Sequence, residues 1–261
     1  MVLQYAKDGN FNHWINKNYK YFNWGDKLSA LLNIIKGLKE IHQRNLVHRD
    51  FHTGNILFLN FINNFSNCVL ISDMGLCGEV DNIDETKIYG VMPYVAPEVL
   101  RGKSYKQAAD IYSFGMIMYF VATGRQPFGH RAHDFDLALD ICEKGVRPEI
   151  SESEAPNYYI DLMKKCWNLD KNDRPNISEI DKLITLFHES YFGELYIVEN
   201  EEIEIQFRQA EEYRRANLLS TENYQIVTHP QAIYTSRLLN PITKDLNSQS
   251  LDDCALPISF K

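Results

Sequence analysis

The sequence predicts a mainly α protein, a helical bundle carrying short β-hairpins, and three observations predict it. Over 26–42 the apolar residues Leu28, Leu31, Leu32, Ile35, Leu38 and Ile41 recur at the spacing of one helix face. The run 108–122 is apolar almost all round, as expected of a helix at the centre of a fold. Between them, 46–59 and 68–72 alternate short apolar runs of strand length with polar loops.

The remaining elements follow in order. Residues 1–6 read as the end of a strand that begins before the chain does. The segment 73–96 shows little periodicity, and a long irregular stretch inside a compact domain is usually functional. Helices are expected over 134–144, 158–167 and 177–189, the last capped by Asn176 or Ser178. No internal repeat is visible. After Tyr191 the text turns polar, so we expect a domain over 1–192 and a polar, partly disordered extension over 193–261. Within it, 201–216 reads as one charged helix with Ile205 and Tyr213 on one side.

Composition limits the functions. The chain has 261 residues, 44% hydrophobic and 24% charged, enough to bury a real core. A net charge of -8 argues against nucleic acid as partner, since phosphate binding needs a basic surface. Five cysteines, an odd number, match neither a zinc site nor a disulfide framework and suggest a reducing compartment. The N-terminus is no signal peptide, and the longest nearly apolar run, 114–122, is too short for a bilayer. The expected location is the cytoplasm, without membrane attachment.

The densest chemistry lies in VHRDFHTGNILF (47–58) and ISDMGL (71–76). These resemble the catalytic loop and metal-binding turn of eukaryotic protein kinases. GVMPYVAPEVL (90–100) resembles the end of an activation segment, DIYSFG (110–115) the central helix that anchors the catalytic loop, and CWNLDKNDRP (166–175) supplies Arg174 as partner for Glu98. The CW and RP spacing, with PYVAPE, is similar to the tyrosine-kinase-like and tyrosine kinase groups. Acceptor specificity is uncertain on these residues, with Ser/Thr favoured and Tyr kept open.

The resemblance implies a kinase C-terminal lobe, ATP and magnesium as cofactors, and a protein substrate; it says nothing of oligomeric state. It makes Asp50 the catalytic carboxylate, with Arg49 and His52 beside it, and Asn55 and Asp73 the metal ligands, hard oxygens suited to magnesium. It makes 1–10 the hinge: Gln4 and Ala6 meet adenine, Asn10 lies near ribose, Leu57 forms the adenine floor and Leu3 is the gatekeeper. Arg49 is placed to pair with a phosphate on Thr86 or Tyr89, while Tyr94 reads as packing.

Three departures qualify this. Met74 stands where kinases carry Phe, and is expected to fill the same internal stack beside His48. His52 and Val91 stand where Ser/Thr kinases carry a lysine and a threonine that bond each other. No glycine-rich loop, strand lysine or partner glutamate precedes Met1, so the N-lobe is expected to be absent and catalysis impaired. A catalytically inactive remnant acting as a binding module, with bare apolar surface around Leu3, Leu57 and Met74, is the alternative. A metal-dependent hydrolase using Asp50 and Asp73 has little beyond the two acids in its favour.

Overall fold

The structure, a computed structural model, describes residues 9–59, 68–79, 87–193, 201–221, 228–240, 242–243 and 246. Helix α1 (Phe11–Asn18) starts at Asn10, whose side chain accepts the His13 N–H at 3.0 Å. Sequence reading passes over this short polar-looking segment. It forms because Phe11 and Ile15, one turn apart, bury together, the Phe11 ring meeting Phe22, Phe58 and Phe120. Helix α2 (Trp24–Gln43) is capped by Asn23 and buries Leu28, Leu31, Ile35, Leu38 and Ile41 of the predicted face, Leu32 being half-exposed.

A series of short strands follows: β1 (Leu46–Val47), β2 (Ile56–Leu59), β3 (Cys68–Ile71), β4 (Gly78–Glu79) and β5 (Tyr89–Gly90). After them come α3 (Pro97–Leu100), α4 (Gln107–Thr123), α5 (Phe135–Glu143), α6 (Asn157–Cys166), α7 (Ile177–Phe192), α8 (Glu201–Thr221) and β6 (Arg237–Leu238). The strands form three antiparallel pairs: β1 with β4, β2 with β3, and β5 with β6. The fold is a mainly helical lobe with short antiparallel strand pairs, as its sequence predicts.

Helix α4 is the axle. Every residue from Ala109 to Thr123 is buried, and Gly124, at a φ of +68°, closes the helix in the left-handed region. Its Gly115 lets α6 approach closely; a Cβ there would stand 3.0 Å from Cys166 Cβ and 3.1 Å from the Trp167 nitrogen. On α7, Asn176 and Glu179 form a reciprocal capping box, so the sequence-expected cap holds. No helix among the described residues is long and apolar enough to cross a membrane.

Helix α8 differs from its expectation. Ile205 and Tyr213 are exposed, and the buried stripe is Ile203, Phe207 and Ala210. Phe207 decides the rotation: it packs edge-on against Trp24 and tilted on Phe187. Glu211 adds a polar anchor, accepting the otherwise orphaned Trp24 N–H of α2 at 3.1 Å while Arg214 and Arg215 hold its charge. The described part of the extension beyond residue 227 also packs on the lobe, with Leu239, Thr243 and Leu246 buried.

Candidate active site

The loop that follows β1 is held from beneath by one carboxylate. Asp110, fully buried on α4, accepts the backbone N–H of His48 at 2.8 Å and of Arg49 at 3.2 Å, and its Oδ2 lies 2.9 Å from His42 Nε2. A buried charge is tolerable only when its lone pairs are filled in this way. Arg49 can take its φ of +70° because these bonds over-determine the turn. The buried His48 ring then reaches across to the Ser72 carbonyl, 3.0 Å from Nε2, tying this loop to the one that bears Asp73.

Asp50 is almost buried, at 6% exposure. The Asn55 amide nitrogen donates to its backbone oxygen at 2.8 Å and to Oδ2 at 3.3 Å. Gly54 N–H donates to His52 Nδ1 at 3.0 Å, which leaves the ring proton on Nε2, 3.5 Å from Asp50 Oδ1. Burial pushes the Asp50 carboxyl up, but the proton of His52 and bonds from Ser236 and Asn55 outweigh it and hold the group below the usual aspartate range. Among the described residues, Oδ1 has no donor at full hydrogen-bonding geometry.

Asn55 ends a 3-10 turn at the foot of β2, and its backbone oxygen accepts both the N–H (2.8 Å) and the hydroxyl (3.0 Å) of Ser72. The β2–β3 register therefore sets Asn55 beside the residue that precedes Asp73. With the Asn55 nitrogen committed to Asp50, its Oδ1 is the atom free for a cation. Asp73 is exposed, at a φ of +57°, with Oδ1 3.4 Å from the Gly75 N–H. An amide oxygen and a carboxylate are hard donors of the kind magnesium takes, so the chemistry of the two side chains suits that ion.

The other predicted positions divide. Asn10 and Leu57 meet as a backbone bridge, with Phe58 N–H donating to the Gly9 oxygen at 3.2 Å, and the Asn10 side-chain oxygen is already used in capping α1. Leu3, Gln4, Ala6 and Thr86 lie outside the described residues. Arg49 donates to the Glu79 oxygen at 2.8 Å and lines a cleft with Lys87, Tyr89 and Lys103. Tyr94 is packing, as expected, but also wired: its hydroxyl joins Thr53 (3.1 Å) to Gln126 (2.8 Å), which bonds Asn12. Met74 does not fill a stack beside His48. The left-handed Asp73 and the 3-10 turn behind it turn its side chain outward, 45% exposed.

Glu98 and Arg174 form a bidentate pair, both contacts at 2.8 Å, with Arg174 also bonding the Ala108 and Asn168 oxygens and lying over the Tyr112 ring. Ser236 is the site neighbour that sequence reading missed. The stretch around it contains Ile233, Tyr234, Leu238 and Leu239, an apolar content that departs from the polar text nearby and is the one signal that could have drawn notice.

This arrangement agrees with comparison to known proteins. The protein tyrosine and serine/threonine kinase family matches residues 1–184, and the chain belongs to that family. A probable serine/threonine-protein kinase of Dictyostelium discoideum is 29% identical over 191 residues, 71% of this chain and 14% of that protein. A second from the same organism is 32% identical, covering 69% and 11%. Serine/threonine-protein kinase STY17 of Arabidopsis thaliana is 28% identical, covering 70% and 31%. The chain thus spans under a third of the length of each of these relatives.

Proposed function

We propose that this lobe, residues 1–192, is the acceptor-side half of a phosphotransferase moving the γ-phosphate of ATP to protein hydroxyls, Ser/Thr in preference to Tyr. The reading is supported by the bonds that tie the loops bearing Asp50, Asn55 and Asp73 to one another: Asn55 to Asp50, Asn55 to Ser72, and His48 to Ser72. Asp50 receives the hydroxyl's proton, His52 orients Asp50, and Asn55 with Asp73 holds magnesium. Magnesium, when bound, neutralises phosphate charge. Gln4, Ala6, Asn10 and Leu57 form the nucleotide's adenine and ribose side, and Arg49 receives an activation-segment phosphate. Three free cysteines among the described residues support a reducing, cytoplasmic setting.

A second reading has its own observation. Leu70, Met74 and Leu76 are each about 40% exposed on neighbouring segments, an apolar surface suited to docking another protein domain. Thermal shift with ATP and magnesium separates the two. Under the first reading, stabilisation requires the metal and disappears in Asp73→Ala; equal shifts in both proteins, or none in either, favour the docking module.

A further inference from the structure

Beyond residue 227 the chain returns across the face that holds Asp50. His229 N–H donates to the Gly129 oxygen at 2.8 Å, and His133 N–H to the Gln231 oxygen at 3.1 Å. The Tyr234 ring stands edge-on to His133 at 4.9 Å while its hydroxyl reaches the Pro127 oxygen at 2.9 Å. Arg237 caps the His133 oxygen at 2.8 Å. The main chain then adds a strand to β5: Gly90 lies opposite Arg237, Tyr89 opposite Leu238, and Leu239 N–H donates to Ile88 O at 2.7 Å. Asn240 Oδ1 accepts the Ile88 N–H at 2.7 Å, and Leu239 is fully buried.

Strand addition to a sheet edge is a general way to hold an extended peptide without dictating most of its sequence. What distinguishes this one is its register. Gly90 is so near the catalytic loop that a Cβ there would come within 3.7 Å of Asp50 Oδ1. Ser236 stands one residue before Gly90's partner, beside that loop, and its hydroxyl is among the groups that draw the Asp50 carboxyl down. A one-residue slip would turn position 236 away. Arg237, Leu239 and Tyr234, each anchored on the lobe, hold the register from both sides.

We propose that residues 229–240 occupy this chain's own protein-substrate groove, presenting the Ser236 hydroxyl to Asp50 as the acceptor of a phosphoryl group from ATP. The inference rests on the phosphotransferase reading above. In the step, Ser236 Oγ forms a bond to the γ-phosphorus and gives its proton to Asp50. The bond from that phosphorus to the bridging oxygen breaks, its electron pair leaving on ADP. The unmodified segment excludes other acceptors. A phosphate on Ser236 brings charge of roughly -1.5 to -2 against the Asp50 carboxylate and so favours the segment's release.

The test uses the full chain with ATP and magnesium, a synthetic peptide of residues 229–243 as external acceptor, and hydrogen exchange of the unmodified protein without nucleotide. We expect phosphate on Ser236 with a rate independent of protein concentration, and none in Asp50→Asn. Leu239→Asp, or Arg237→Ala if the first misfolds, should cut Ser236 labelling at least 10-fold and raise labelling of the peptide. Without nucleotide, the Leu239 and Ile88 amides should exchange at least 100-fold more slowly than in Leu239→Asp. Free exchange at both amides in the unsubstituted protein overturns the occupancy. A labelled peptide with Ser236 untouched in every variant overturns the acceptor role and leaves the phosphotransferase reading standing. Protected amides with nothing labelled in any variant overturn that reading, and the acceptor role with it.

Discussion

The Asp110 carboxylate accepts the His48 backbone N–H at 2.8 Å, so the first turn of the buried helix α4 sets where the Asp50 loop begins. Arg49 N–H and the His42 ring complete the same carboxylate's shell. Asp50 thus takes its position from a residue that does not touch it, and the stiffness of the site derives from α4.

Asp110→Ala should destabilise the protein by about 3 kcal/mol, because it leaves the His48 and Arg49 amides and the His42 ring without their acceptor in a buried setting. Urea unfolding measures it. A loss below about 0.5 kcal/mol would show that the loop is held by other contacts.

The Glu98–Arg174 pair predicts a strongly non-additive cycle. Glu98→Ala leaves a buried guanidinium uncompensated and should cost about 3–5 kcal/mol. Adding Arg174→Met to it should recover part of that loss, since the stranded charge is gone. Additive losses in the double variant would refute the pairing as an energetic unit.

Lys27 should make stability rise with pH. It is buried, with Nζ donating to the Ala122 oxygen at 2.8 Å and lying over the Tyr19 and Trp24 rings. Burial pulls its amine down to about 7. Between there and its unfolded value, roughly 10.4, the unfolded chain holds a proton that the native one has released. Stability contributed at this site therefore increases through that window, and the cost of charging is complete below it. Lys27→Met should remove the rise; unfolding free energies of both proteins from denaturant titrations at pH 6 to 9.5 should diverge by on the order of a few kcal/mol. Parallel profiles would mean that the amine stays charged in the fold.

Tyr94→Phe should cost about 1–2 kcal/mol by opening the Thr53–Tyr94–Gln126 chain, with Thr53 and Gln126 left short of a partner. The phenol titrates well above its usual range because it is buried. Its stabilisation is present below the unfolded value of about 10 and is lost as pH rises beyond it. The variant should therefore show a shallower loss of stability between pH 10 and 11.

Much of the lobe was legible because side-chain pattern dictated it. The stripe on α2, the all-apolar α4 and the Asn176 cap follow from periodicity and capping chemistry, and the meeting of Asn55 with Asp50 from their spacing in one loop. Misreadings occurred where long-range contact overrode local text. The rotation of α8 is chosen by Trp24 and Phe187, residues far away in the chain. Helix α1 depends on an aromatic cluster assembled from four separate segments. The placement of Ser236 rests largely on main-chain bonds such as Leu239 to Ile88, which almost any sequence can make and none advertises.

The β5–β6 ladder has a kinetic consequence. Its bond between Ile88 and Asn240 closes a span of 152 positions, yet the ladder is only two residues long. Loop-closure entropy grows only logarithmically with length, so the join is thermodynamically tolerable, but contacts of such separation form late. So short a seam should assemble late and fray early, opening in a partial unfolding event that leaves the helical lobe intact.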